Sequence, residues 1–238
     1  MDNLLSFNQK RKTENGKRHL ILALDTATEN GSLALAADDR LLAEYSLDSP
    51  GTYLQHLLPG VEELLRAGGR SLQELGAIAV SQGPGNFTGL RIGLATAKGL
   101  AWALDIPLAP VPTLEALAAQ IPRQPQPTAV IMDAKRGEVF LGLFQCPEEF
   151  PQALAEPQRL PLAALPARLK PPLLLTGPGL DAYGDFLKKH LSPEIAWAPP
   201  EKRRPRAATI ARLGRVRLER GMTIAPRQLV PTYLRPAL

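Results

Sequence analysis

Apolar and polar positions alternate in two distinct rhythms along this chain, and the changes of rhythm mark its elements. Leu20-Ile21-Leu22-Ala23-Leu24 is an unbroken apolar run that stops at Asp25, which predicts a short buried strand. Gly31 breaks the pattern, residues 32–37 alternate weakly as far as Asp38-Asp39, and residues 40–47 resume a strand-like run. Three runs joined by short turns predict an antiparallel meander. The period then lengthens. Leu54, Leu57, Leu58, Val61, Leu64 and Leu65 recur every three or four residues, the stripe of an amphipathic helix, and Gly68-Gly69 ends it. Residues 76–81 read as a strand that enters the glycine-rich turn Gln82-Gly83-Pro84-Gly85-Asn86-Phe87-Thr88-Gly89. A long helix over 90–104, a strand over 106–111 and a helix from Thr113 to about Gln120 follow.

The resulting order, β-β-β-α-β-α-β-α, predicts a mixed sheet covered by helices. It is the order of a ribonuclease-H-like domain, the unit duplicated in actin-like ATPases and sugar kinases. Proline use then changes: three of the 24 prolines precede residue 100 and 21 follow it. Proline removes a backbone donor, so shorter elements and more loops are expected beyond that point. Residues 121–127 read as an extended linker. Strands over 128–132 and 138–144 flank Asp133-Ala134-Lys135-Arg136-Gly137, repeating the opening strand–Asp–turn–strand. That repetition predicts a duplicated α/β fold whose second lobe is smaller and irregular. The expected division is a disordered basic tail (1–18), an N-terminal lobe (19–121) and a C-terminal lobe with a basic terminal helix (122–238). Within the second lobe, a strand at 173–176, a helix to about His190 and a helix at 207–220 are readable; residues 147–172 are not.

Composition changes this picture little. The chain has 238 residues and a hydrophobic content of 45%, ordinary for a globular protein, and no apolar run approaches a membrane span. The charge distribution says more. The net charge is +5, yet the basicity sits at the two ends and the body between them is mildly acidic. One cysteine, Cys146, excludes an internal disulfide and a Cys-based zinc site. His19, His56 and His190 are far apart, with no metal-ligand spacing. No Gly-x-Ser-x-Gly elbow is present. The N-terminus lacks the apolar stretch of a signal peptide, so a cytoplasmic location is expected.

Three motifs carry candidate chemistry, each with a plainer alternative. The turn from Ser81 to Gly93, with Gly83 and Gly85, is a strand–glycine turn–helix start that suits an anion, or a rigid packing corner. It is no Walker loop, since no Gly-Lys-Ser/Thr ends it. Asp25-Thr26 ends a strand in a hydroxyl-rich turn that could hold Mg-phosphate, or could satisfy local backbone donors. Gly89, Gly93, Ala97 and Ala101 lie four apart, a small-residue face that lets another helix approach closely. Either the protein's own sheet or a partner would use it. Leu90, Leu94 and Leu104 could pack on the sheet and leave the small face free.

Residues 22–28, 83–93, 95–101, 111–118 and 132–140 together resemble the TsaB (YeaZ) family, the stretch Gly83-Pro84-Gly85-Asn86-Phe87-Thr88-Gly89-Leu90-Arg91 most specifically. The resemblance runs from about residue 20 to about 144. It implies an actin-like ATPase fold of two ribonuclease-H-like lobes. It also implies a non-catalytic role in making threonylcarbamoyladenosine beside the anticodon of tRNAs that read codons starting with A. The implied partners are the transferase TsaD and the ATPase TsaE, with tRNA met through the complex and a homodimer formed when TsaD is absent. The implied contact surface is the first two helices, here Leu54, Leu57, Leu58, Val61, Arg91, Gly93, Ala97 and Ala101. No resident cofactor or metal is implied, with ATP or ADP at the partner interface as the one candidate, and no peptidase chemistry is visible. Asn86 stands where the family usually has Ser. The rival reading is an actin-like ATP-dependent phosphotransferase with Asp25 at Mg-phosphate. The basic helix with Arg212, Arg215, Arg217 and Arg220 is expected to add salt-sensitive attraction to tRNA.

Overall fold

Strand β1 (Leu20–Asp25) is buried along its whole length. In a strand successive side chains face opposite ways, and here the two sets differ in size. Leu20, Leu22 and Leu24 point to one side, Ile21 and Ala23 to the other. Strand β2 (Gly31–Ala37) pairs antiparallel with β1, and β3 (Arg40–Leu47) with β2. This is the expected meander. Helix α1 (Tyr53–Ala67) returns the chain to β4 (Ala77–Gly83), which lies parallel to β1. Helix α2 (Phe87–Leu104) leads to β5 (Leu108–Pro112), parallel to β4. The sheet order is β3-β2-β1-β4-β5.

The computed structural model describes residues 20–47, 53–146 and 150–234. The expected tail, 1–18, lies outside the described residues. Helix α2 starts three residues before the hydrophobic period suggests. Asn86 caps it, its Oδ1 accepting from the Gly89 N–H at 2.8 Å. Asn and Ser are comparable caps, so Asn86 does here what a serine could do.

A short, buried helix, α3 (Thr113–Ala118), links the two halves. Its Leu114, Leu117 and Ala118 pack with Val130, Met132, Phe140 and Phe144 of the second lobe, while Ala116 belongs to the core of the first. The second lobe contains β6 (Thr128–Asp133), β7 (Glu138–Gln145), β8 (Gln152–Ala153), β9 (Gln158–Pro161), β10 (Leu174–Thr176) and β11 (Ala196–Trp197). Ignoring the two-residue β8, its strand path is β9-β7-β6-β10-β11. The pairings are antiparallel for β6–β7 and β7–β9 and parallel for β6–β10 and β10–β11. That repeats the first sheet strand for strand, as duplication predicts. The expected helix before His190 is broken into α4 (Gly179–Ala182) and α5 (Gly184–His190).

The terminal helix α6 (Ala207–Glu219) departs from the expected division. It leaves the second lobe and packs on β1, β2, β4 and β5 of the first sheet. The reason is side-chain size. The sheet face opposite α1 and α2 is lined by Ala23, Ala34, Ala36, Ala77, Ala79 and Ala109. A helix with Ala207, Ala211 and Gly214 inward can sit closely on that surface; a Cβ at Gly214 would lie 2.4 Å from the Ala79 Cβ.

This placement also engages the helix's arginines with the chain itself. Arg217 is buried and forms a two-pronged pair with Glu115 of α3 at 2.7 and 2.9 Å. Arg215 pairs with Asp39 and Glu219 at 2.7 and 2.5 Å. Arg212 donates to the Ala119 carbonyl at 2.8 Å. The Arg220 guanidinium lies 5.0 Å from the centre of the Phe150 ring. Of the four arginines expected to attract tRNA, Arg215 and Arg217 bind this chain's own carboxylates.

Candidate functional site

The two strand–Asp–turn motifs face each other at the seam of the lobes, in opposite environments. Asp25 is fully buried. Its Oδ1 accepts from the Ala27 N–H at 3.2 Å, and its Oδ2 has no partner among the described residues. Burial raises its pKa to about 6, with the nearby Ser81 side chain and the Ala27 N–H countering part of the rise. Thr26 is buried too, and its hydroxyl has no partner among the described residues. Asp133 is half-exposed and well served. Its Oδ1 accepts from the Tyr183 hydroxyl and the Lys135 N–H, both at 2.7 Å. The Lys135 ammonium lies 3.0 Å from Asp133 Oδ2 and 3.8 Å from Glu29 of the opposing turn. Burial alone would raise the Asp133 pKa, but these donors and the ammonium outweigh it and hold the carboxyl below its ordinary value.

The expected Mg-phosphate cradle at Asp25, Thr26, Gly83 and Gly85 does not fit. A phosphate needs open donors, and each glycine here faces the protein's own atoms. A Cβ on Gly85 would meet the Ala27 carbonyl at 2.2 Å, and one on Gly83 the Thr232 carbonyl at 2.6 Å. Helix α2 closes the turn from above, since a Cβ on Gly93 would lie 2.1 Å from Thr26 Oγ1. The turn is the rigid packing corner of the plainer alternative. The turn after β10 is packed in the same way, with Gly177 and Gly179 both pressed on Ile131.

Gly93 therefore points inward, and so do its companions. Gly89, Gly93, Ala97 and Ala101 are buried, with Ala97 and Ala101 in one core with Leu57, Val61, Leu22 and Leu24. This corrects the expected partner face: Leu57, Val61, Gly93, Ala97 and Ala101 are spent on the first lobe's own core. Of that set, Leu58 (51% exposed) and Arg91 face outward. Leu54 lies on α1, but its side chain is outside the described residues.

A second stripe takes the outer place. Thr88, Arg91, Ala95, Gly99 and Trp102 are all exposed, and they follow helical spacing along α2. A Cβ on Gly99 would meet nothing within 4 Å, and Trp102 is 72% exposed. The chain's final described segment borders this stripe. Thr232 N–H donates to the Gln82 carbonyl at 2.9 Å, Lys98 Nζ to the Leu229 carbonyl at 3.2 Å and Arg91 Nε to the Tyr233 hydroxyl at 3.2 Å. The Phe87 and Tyr233 rings lie 5.4 Å apart, and the Arg91 guanidinium sits 3.7 Å over Phe87.

Comparison with known proteins places this architecture. The chain is 33% identical over 220 residues to the tRNA threonylcarbamoyladenosine biosynthesis protein TsaB of Bacillus subtilis, covering 91% of this chain and 94% of that protein. The chain belongs to the TsaB family. Among solved structures, YeaZ from Pseudomonas aeruginosa superposes with a TM-score of 0.78 at 30% identity, covering 91% of this chain and all of that one. Residues 51–233 match the family model described as TsaD, tRNA N6-adenosine threonylcarbamoyltransferase, which fits the same family. The wider fold is actin-like: a 2-hydroxyisocaproyl-CoA dehydratase activator from Clostridium difficile with bound ADPNP superposes with a TM-score of 0.52 at 10% identity, covering 85% of this chain and 97% of that one.

In this TsaB-family chain the outer stripe has a sequence signal that small-residue spacing alone misassigns. Arg91, Ala95 and Gly99 also lie four apart, two positions out of phase with the buried set. Both stripes carry small residues at four-residue spacing, and periodicity does not say which one meets the sheet. Tyr233 is 142 residues from Arg91, so no local pattern pairs them. Among the described residues no three His, Cys, Asp or Glu side chains gather to hold a metal ion, and no helix is long and apolar enough to cross a membrane.

Proposed function

We propose that this protein serves threonylcarbamoyladenosine biosynthesis as a non-catalytic subunit that docks a TsaD-type transferase. The outer face of α1 and α2 carries that reading, with Leu58 beside a stripe of Arg91, Ala95, Gly99 and Trp102. Such a face offers what a helix pair from a partner needs. Small residues at the centre permit close approach, and a large aromatic at the edge supplies buried area. An exposed tryptophan costs solubility unless something covers it. The closed Asp25 turn supports the non-catalytic part, since a fully buried carboxylate under a helix cannot meet a substrate phosphate. In this reading tRNA and the ATPase TsaE are met through the complex, and two copies pair by the same face when the transferase is absent.

Light scattering on the chain alone and mixed with a TsaD-type transferase tests it. A heterodimer is expected, and Gly99→Trp with Ala95→Glu should abolish it while leaving the melting temperature of the isolated chain within a few degrees, because both positions open to solvent. Wild-type affinity in that variant would sink the assignment of this face. Mg-ATP turnover by the isolated chain, lost on Asp25→Ala, would instead support the phosphotransferase reading.

A further inference from the structure

Residues 222–234, which follow α6, form a strap fastened along the first lobe. Ile224 and Leu108 of β5 exchange backbone hydrogen bonds at 2.9 and 3.1 Å. Leu229 is buried in the core that α1 and α2 share, and its carbonyl accepts from Lys98 Nζ. Gln82 holds the strap twice: its Nε2 donates to the Val230 carbonyl and its own carbonyl accepts from the Thr232 N–H, both at 2.9 Å. Gly83, at φ +110°, makes this crossing possible, because a Cβ there would lie 2.6 Å from the Thr232 carbonyl oxygen. Leu234 then packs on the core of the second lobe, so Tyr233 is fixed from both sides.

Tyr233 in turn fixes Arg91. The Arg91 Nε donates to the Tyr233 hydroxyl at 3.2 Å, and the guanidinium sits 3.7 Å over the Phe87 ring. An exposed arginine loses rotamer freedom when a partner immobilises it; here its position is set beforehand. With Nε and one face of the plane engaged, Nη1 and Nη2 remain, and no other partner of Arg91 lies among the described residues. Two parallel N–H donors match the two oxygens of a carboxylate. We infer that the strap belongs to the docking apparatus, with Tyr233 a positioning residue that presets Arg91 for a carboxylate of the docking partner. This rests on the reading of the α1–α2 face given above. The surroundings favour a protein carboxylate over an RNA phosphate. Leu58, Ala95, Gly99 and Trp102 on the same face suit protein contact. Lys98, the other cation of α2, is held by the Leu229 carbonyl, whereas a phosphate backbone calls for a row of cations.

The test uses the full chain with a TsaD-type transferase, read by calorimetry at low and high salt. Arg91→Ala is expected to lose about tenfold or more in affinity and to lose less with added salt than the parent does. Tyr233→Phe deletes the hydroxyl and keeps the ring, and should lose about threefold to tenfold. In the Arg91→Ala background, Tyr233→Phe should change nothing further, because it acts through Arg91; a merely structural role would not produce that coupling. The unbound variants should melt within a few degrees of the parent. The inference is overturned if Tyr233→Phe binds like the parent, if the two losses add, if Arg91→Ala keeps the parent's salt dependence, or if a tRNA binds the isolated chain and loses affinity on Arg91→Ala. Gly99→Trp with Ala95→Glu separates the two readings. If that variant docks normally, the face is wrong and this inference falls with it. If it fails to dock while Tyr233→Phe docks normally, only the positioning role falls.

Discussion

Asp25 and Asp133 end the first strand of each lobe, and each is followed by a turn and an antiparallel return strand. Local sequence makes them equivalent, yet one carboxyl is raised to about 6 and the other is lowered. The difference comes from what packs on each turn. Over Asp25 lies α2, whose Gly93 closes on Thr26 and excludes donors from Oδ2. Beside Asp133 lie Lys135 and Tyr183, which supply an ammonium and a hydroxyl; Tyr183 in turn is pushed up to about 12 by burial and by the Asp133 carboxylate. A repeated motif thus keeps its backbone while its chemistry is set by neighbours distant in sequence.

The largest expected effect comes from disturbing the lid on Asp25. Gly93→Val should cost roughly 3 kcal/mol or more, because its side chain must displace Thr26 within a packed core. A urea melt would show it, whereas a melt unchanged from the parent would mean that α2 does not close the turn. Gly99→Val on the outer stripe serves as the control and should leave the midpoint nearly unmoved.

Next comes Asp25 itself. A carboxyl whose folded pKa lies above its ordinary 3.8 favours folding most below that value and loses the advantage as pH rises through about 6. Asp25→Asn should therefore be more stable than the parent at pH 8 by roughly 2–3 kcal/mol, with the gap closing toward pH 4. Parallel stability curves across that range would refute a buried, raised Asp25.

The sign reverses for Asp133. Its lowered pKa gives stability that is present above the ordinary value and is lost as pH falls through the folded one. Asp133→Asn should cost less than about 1 kcal/mol at neutral pH, since the site is partly solvated, and the deficit should shrink in acid. Denaturant midpoints of the two Asn variants, moving in opposite directions at neutral pH, are the sharpest form of the comparison. Lys135→Met should do least, within about 0.5 kcal/mol, because its ion pairs with Glu29 and Asp133 are exposed. A larger loss would make Lys135 a clamp between the lobes.

Much of the fold was legible because it follows from local patterning. The meander, the period of α1 and the repeat at Asp133 were readable, since strand and helix leave different spacings of apolar residues. Residues 147–172 were not: their strands are two and four residues long, too short to show a period. The start of α2 was missed because a single capping side chain, Asn86, decides it.

What the sequence determined by itself was the order of elements in the first lobe, the duplication and the family, all carried by neighbours along the chain. Tertiary structure alone decided which small stripe of α2 faces out, where α6 lies and what its arginines are for. Helix α2 carries small residues on two stripes, and only the Leu-rich face of the sheet selects the inner one. Helix α6 crosses to the first lobe because an alanine-lined sheet face, assembled from four strands, accepts Gly214 and its neighbours. Such a surface exists only after the strands have paired, so no window of sequence contains it. The same holds for the charge on α6, whose Arg215 and Arg217 find Asp39 and Glu115 across more than a hundred residues.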